Sequence, residues 1–204
     1  MIPRVIFRLL APQFRHPRGI VGRWVGKQME KLNDAQNDWV LSLLHLKPDD
    51  RVLEIGFGTG LTMQKIAKKL PKGKIAGIDI SVTMLGMAKE LLKTDIAAGK
   101  VSLYRANADR MPFQENSFSK VFAVHVVYFW RNLQEVFKEL YRVTKPGGTL
   151  ALYYVASVLA ESDAFIIYTE KQIKDALRKA GFQSVSSYEK QFGPQRGICI
   201  TAIK

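Results

Sequence analysis

Three glycines at alternate positions, Gly56, Gly58 and Gly60, lie between two stretches of different character. Before them runs Arg51-Val-Leu-Glu-Ile55, a β-branched and aliphatic segment of the kind buried as a parallel strand. After them, Leu61 to Leu70 carries apolar and basic residues at helical spacing. Strand, glycine loop and helix open a nucleotide-binding α/β fold. Glycine lets the backbone turn tightly there and lets a ligand lie against the main chain with no Cβ in the way.

The rest of the chain continues the alternation. The spacing predicts helices over 20–32 and 37–46, then strand 51–56, helix 60–69, strand 74–79, helix 82–94, strand 100–105 and strand 119–125. Helix 132–143, strand 148–155, helix 169–180, strand 182–189 and strand 196–203 follow. Asn132 with Glu135, and Thr169 with Gln172, have N-cap spacing, and Gly181 stands where a C′ glycine ends a helix. Such alternation gives a parallel sheet covered on both faces. Only Phe192–Gly197 separates the last two strands, so they form an antiparallel hairpin. The expected organisation is an N-terminal basic helical cap over 1–46 and one compact unit over 47–204.

The glycine loop also restricts its ligand. A dinucleotide fingerprint would place its third glycine at position 61, which is Leu61. A P-loop needs Gly-Lys-Ser/Thr, and no Lys or Arg occurs from Glu54 to Gln64. Glu54, at the strand's end, would repel a phosphate and suits an ammonium or sulfonium group. Asp79 ends the next strand pattern, nineteen residues after Gly60. An acid near that spacing accepts hydrogen bonds from both hydroxyls of a ribose. A ribose, a positive charge and no phosphate describe S-adenosylmethionine.

Glu54-x-Gly56-x-Gly58-x-Gly60 resembles motif I of the class I S-adenosylmethionine-dependent methyltransferases. The likeness continues in order through Gly77-Ile-Asp79-Ile-Ser81 with Met84-Leu85, Asn107-Ala-Asp109-Arg-Met-Pro112-Phe113 with Asn116-Ser-Phe118, Leu140-Tyr-Arg142-Val-Thr-Lys145-Pro146-Gly147-Gly148, and Leu177-Arg-Lys-Ala-Gly181-Phe182. It covers residues 47–204. It is greatest with the small-molecule branch that includes the ubiquinone/menaquinone C-methyltransferases. The resemblance implies a Rossmann-like, seven-stranded, mostly parallel sheet of order 3-2-1-4-5-7-6, its last strand antiparallel, with helices on both faces. It implies that Gly56 and Gly58, in the loop with Glu54, Phe57 and Gly60, back the methionine moiety and that Asp79 holds the ribose. Ile80 and Met84 would flank the adenine, and Asp109 with the Ala108 backbone would meet its edge. Val124 and His125 end the fourth strand, where the transferable methyl projects. His125 is a candidate base, orienting group or pocket-wall histidine, and Tyr128 is the second catalytic candidate. Tyr128-Phe-Trp130 supplies aromatic edges for a sulfonium or an apolar acceptor, with Trp130 read as an anchor for the next helix. The Asp/Asn-Pro-Pro-Tyr of base-methylating enzymes is replaced by His125-Val-Val-Tyr128.

Composition narrows the partners. Pro146–Ala160, the longest uncharged stretch, is too short for a membrane span. Arg8 interrupts the apolar Met1–Phe14, so the sequence reads as cytoplasmic. Cys199 is the single cysteine, and no His/Cys/carboxylate cluster has metal-ligand spacing. The net charge is +13, and Arg4, Arg8, Arg15, Arg18, Arg23, Lys27 and Lys31 crowd the first 31 residues against Glu30 alone. The expected function is methyl transfer from S-adenosylmethionine to a small apolar or aromatic acceptor. The alternatives are a lipid or quinone methyltransferase held peripherally on an anionic membrane by the basic, apolar Met1–Arg23 arm, and a non-catalytic module binding S-adenosylmethionine or RNA. Nucleic acid is the less favoured partner.

Overall fold

The computed structural model describes residues 11–155 and 165–204. Its strands are β1 (Arg51–Ile55), β2 (Lys74–Asp79), β3 (Val101–Arg105), β4 (Phe118–Val124), β5 (Thr144–Val155), β6 (Gln183–Phe192) and β7 (Gln195–Ile203). They form one sheet in the order β3-β2-β1-β4-β5-β7-β6. β1 to β5 pair in parallel, and β7 runs antiparallel to both β5 and β6. This is the Rossmann-like topology the resemblance implied. The chain reverses its strand order beside β1, so the carboxyl ends of β1 and β4 diverge around a crevice.

Helices cover both faces. They are α1 (Gly19–Leu44), α2 (Leu61–Lys69), α3 (Val82–Leu91), the short α4 (Lys93–Ala97), α5 (Leu133–Val143) and α6 (Glu170–Lys179). The two-residue period of β5 sorts the core. Leu150, Leu152 and Tyr154 pack in one layer with Phe137 and Leu140 of α5 and Ile173 and Leu177 of α6. Ala151, Tyr153 and Val155 point the other way, into a layer with Val40 and Leu44 of α1 and Met63 and Ile66 of α2. Each large side chain so buried contributes roughly 1.5–3 kcal/mol. Cys199 lies in this second layer, where burial pushes its thiol up to about 12.

Local signals fix the helix ends. The Asn132 side chain accepts from the N–H groups of Gln134 and Glu135, and Thr169 with Gln172 forms a capping box. Gly181, at φ 109°, and Phe182 close α6 by donating to the carbonyls of Arg178 and Leu177.

Two helix boundaries differ from the sequence expectation. The segments expected as separate helices over 20–32 and 37–46 are one continuous helix, α1. Its polar middle is held from outside: Lys65 of α2 reaches Asp34 at 2.6 Å and Asp38 at 2.9 Å. The helix expected over 82–94 ends instead at Leu91, and α4 starts at Lys93. Leu92 between them is fully buried, beside the space over Gly60.

Candidate active site

A cleft of about 1350 Å³ runs along the carboxyl ends of β1, β2 and β4, with α1 as one wall. Its β1–β2 end is acidic. Glu54 is 4% exposed, and its Oε2 has no hydrogen-bond partner among the described residues. Burial, then the neighbouring Asp79, push the Glu54 carboxyl well above the usual carboxylate range. Asp79 accepts from the Gly58 N–H at 3.0 Å and from the Ser81 N–H at 2.8 Å. Burial raises it to about 6 against the opposing pull of these bonds. Two carboxyl groups that resist ionising alone are suited to a ligand that brings positive charge and hydroxyl donors.

The glycines divide the work. Nothing lies within 4 Å of where a Cβ on Gly58 would sit, so this residue alone of the three presents bare main chain to open space. A Cβ on Gly56 would strike Val126, and one on Gly60 would come within 3.0 Å of Ala88 and 2.9 Å of Leu92. Gly56 and Gly60 are therefore needed for packing, at φ 77° and 89°. The Phe57 ring is buried against Gly77, beside Met63, which leaves only its backbone for a ligand. Ile80, Ala108 and Asp109 line the cleft, and Asp109 is held by the Asn107 amide at 3.1 Å. Met84 is 2% exposed and packs against Gly26 of α1, where a Cβ would come within 2.8 Å of its methyl.

That close approach brings α1 over the glycine loop. Met29, Glu30, Asn33, Gln36 and Asn37 line the cleft, and the Thr59 hydroxyl donates to the Glu30 carboxylate. Gln36 is 6% exposed with its Oε1 unpartnered among the described residues. The sequence reading missed Glu30, Gln36 and Thr59. The only signal for Gln36 was the polar interruption of an otherwise amphipathic helix; Glu30 and Thr59 meet only through tertiary packing.

The β4–β5 end is aromatic. Val124 lines the cleft at the end of β4, and His125 follows at φ 57°. His125 Nδ1 lies 3.3 Å from the Tyr128 hydroxyl, and Nε2 is shielded without a partner among the described residues. Burial lowers the imidazole to about 4, so it is neutral at pH 7. Its edge meets Tyr153 at 4.8 Å. The Tyr128 hydroxyl accepts from the Val155 N–H at 2.6 Å, which ties it to the end of β5. Phe129 and Phe165 lie 5.4 Å apart, Tyr128 stands 6.2 Å from each, and Phe14 stands 6.4 Å from Phe165. All four rings line the cleft. Trp130 also borders the cleft and turns its ring onto Phe137 of α5 at 6.0 Å.

Fold and cleft together define a class I methyltransferase architecture. Comparison with known proteins agrees. Residues 53–152 match the methyltransferase domain model Methyltransf_11. The uncharacterized methyltransferase YdaC of Bacillus subtilis is 29% identical over 182 residues, covering 88% of this chain and 97% of that protein. A demethylmenaquinone methyltransferase of Lactiplantibacillus plantarum is 31% identical over 149 residues, 71% of this chain, which spans only 59% of that longer protein. The crystal structure of an S-adenosylmethionine-dependent methyltransferase from Aquifex aeolicus shares the fold at TM-score 0.70 and 22% identity, over 87% of this chain and 97% of that one. The chain belongs to the class I S-adenosylmethionine-dependent methyltransferases, and S-adenosylmethionine is its cofactor. The residues present fit that group: the orphaned Glu54 oxygen, the raised Asp79 carboxyl and the bare Gly58 backbone face the same cleft.

Proposed function

We propose that this enzyme methylates a small, uncharged apolar or aromatic molecule, and that α1 closes the cleft over the reacting groups. The observation that carries this reading is the set of rings from Phe14, Tyr128, Phe129 and Phe165 that line the β4–β5 end. When bound, the cofactor supplies a methyl carbon already activated by its sulfonium. The chain's task is then alignment and exclusion of water. Asp79 would hold the ribose hydroxyls, Glu54 would face the cationic amino-acid end, and the Gly56–Gly60 loop would support it through main chain. Ile80 and Met84 would border the adenine, with Ala108 and Asp109 at its edge. Val124 and His125 would sit opposite the methyl. His125, neutral and with one ring nitrogen free, would orient the acceptor by a hydrogen bond. Tyr128 would fix the imidazole and the end of β5. Met29 and Asn33 of α1 would seal the cofactor from above.

The test is transfer of a labelled methyl group to a panel of acceptors. Phenols and quinols should be labelled, whereas phosphoethanolamine and free amino acids should not. Labelling confined to the charged acceptors would overturn the proposal. A quinone or lipid taken from a membrane is a second reading, favoured by the exposed apolar face of α1 and supported by the likeness to the demethylmenaquinone methyltransferase.

A further inference from the structure

The two faces of α1 carry different chemistry. One, bearing Gly22, Gly26, Met29, Asn33 and Gln36, turns toward the protein and the cleft. The other bears Ile20 at 87% exposure, Trp24 at 52%, Val21 at 50% and Leu32 at 61%. Scattered exposed hydrophobics are ordinary; four large ones within thirteen residues of one helix are not. At 100° per residue, Ile20, Trp24, Lys27 and Lys31 share one stripe, with Val21 and Leu32 on one flank and Arg23 on the other. Arg18 lies just before the helix. The nearby acids are engaged: Glu30 by Thr59, Asp34 and Asp38 by Lys65 of α2, and Glu90 of α3 by Arg23 at 3.8 Å. The stripe is therefore apolar and cationic together, on a protein of net charge +13.

We infer that this face of α1 is a docking surface for an anionic lipid bilayer, on which the helix lies parallel to the membrane. Charge complementarity selects an anionic partner. The aliphatic Ile20, Val21 and Leu32 select a bilayer over nucleic acid, because they have nothing to pair with along a phosphate backbone but gain from entering the acyl boundary. Trp24 is of the type that settles at that boundary. Among the described residues no helix is long and apolar enough to cross a membrane, so the geometry is that of a helix lying on the surface. The sequence reading placed an anchor in Met1–Arg23. Residues 1–10 of that arm lie outside the described residues, and the face seen here reaches further, to Leu32. Leu32 also borders the cleft, which gives an apolar molecule a continuous path from the bilayer to the site.

Docking does not depend on which acceptor is methylated, so it is tested without turnover. Purified full-length protein is sedimented with phosphatidylcholine vesicles, with and without phosphatidylglycerol, at low and high salt. The wild type should bind the anionic vesicles, and salt should release it. The exposed double variant Ile20→Ser/Trp24→Ser should bind roughly tenfold more weakly. Lys27→Gln/Lys31→Gln should lose about fivefold per cation removed. Both variants should keep the wild-type melting temperature and affinity for S-adenosylhomocysteine, which verifies the fold. No binding by the wild type at low salt would overturn the inference. So would full binding by the Ser variant, which would mark a general polyanion surface and predict competition by RNA. Dimerisation lost in the Ser variant, without vesicle binding, would assign the face to a second copy of this chain and equally overturn it.

Discussion

The two ends of the cleft treat charge in opposite ways. At the β1–β2 end, Glu54 and Asp79 are acids that burial pushes toward their neutral forms. At the β4–β5 end, His125 is a base that burial also pushes toward neutrality. The cleft is thus a groove in which burial opposes ionisation at both ends, and each end calls for a different partner. The acidic end has an evident one, since a cationic ligand with ribose hydroxyls restores what desolvation removes. The histidine end is walled by the rings of Phe14, Tyr128, Phe129 and Phe165, and His125 itself carries no charge at pH 7. A common physical cause, burial, therefore acts on acids at one end and on a base at the other.

The largest expected effects lie in the pH dependence of stability. Asp79 is raised in the fold from 3.8 to about 6, so its contribution is fully present below pH 3.8 and is lost as pH rises through 6. His125 is depressed from 6.5 to about 4, so its contribution is present above 6.5 and is lost as pH falls through 4. Each shift corresponds to roughly 3 kcal/mol, and the two oppose each other in the wild type. The difference in unfolding free energy between wild type and Asp79→Asn should grow as pH falls from 6 to 4. The difference between wild type and His125→Asn should shrink over the same window. Denaturant titrations across that range measure both; equal slopes would erase the contrast between the two ends.

Tyr128→Phe should cost about 1–3 kcal/mol, because it leaves the buried Val155 N–H without its acceptor. Urea unfolding measures this. If Tyr128 acts by holding β5 and His125, turnover at saturating acceptor should fall by less than tenfold. A loss beyond a thousandfold with unchanged stability would make its hydroxyl a direct participant.

Gly58→Ala and Gly60→Ala separate ligand from packing. A Cβ on Gly58 enters open cleft at φ 53°, so its stability cost should be about 1–2 kcal/mol while cofactor affinity falls at least about tenfold. Gly60→Ala should destabilise the fold more, through Ala88 and Leu92. Calorimetry paired with thermal melts distinguishes them. The smallest effect expected is for Phe129→Ala, which should raise the KM for an aromatic acceptor roughly fivefold with the cofactor KM unchanged.

Much of this was legible because it is local. The glycine loop, the acid nineteen residues on, the caps at Asn132 and Thr169 and the hairpin after Phe192 are short-range patterns, and each has a short-range physical cause. The α1 boundary was misread for a complementary reason. Asn33, Asp34, Gln36 and Asn37 break the apolar periodicity, which in a single sequence looks like a helix end. In the fold, Asn33, Gln36 and Asn37 face the cleft and Asp34 pairs with Lys65, so the break is the wall of the site. Phe14 and Phe165 lie about 150 residues apart and meet only through tertiary packing, which no periodicity records. Thr59 was passed over as a spacer between glycines, yet it carries the bond to α1.

The central claim is that the acidic end is the seat of the cofactor and that Asp79 is its principal anchor. Calorimetric titration of the wild type and Asp79→Ala with S-adenosylmethionine, with NADH as control, tests it most directly. The account predicts saturable one-to-one binding of S-adenosylmethionine to the wild type, none of NADH, and a loss on the order of a hundredfold in Asp79→Ala from two charge-assisted hydrogen bonds. Undiminished affinity in a well-folded Asp79→Ala protein would contradict it and move the ribose elsewhere in the cleft.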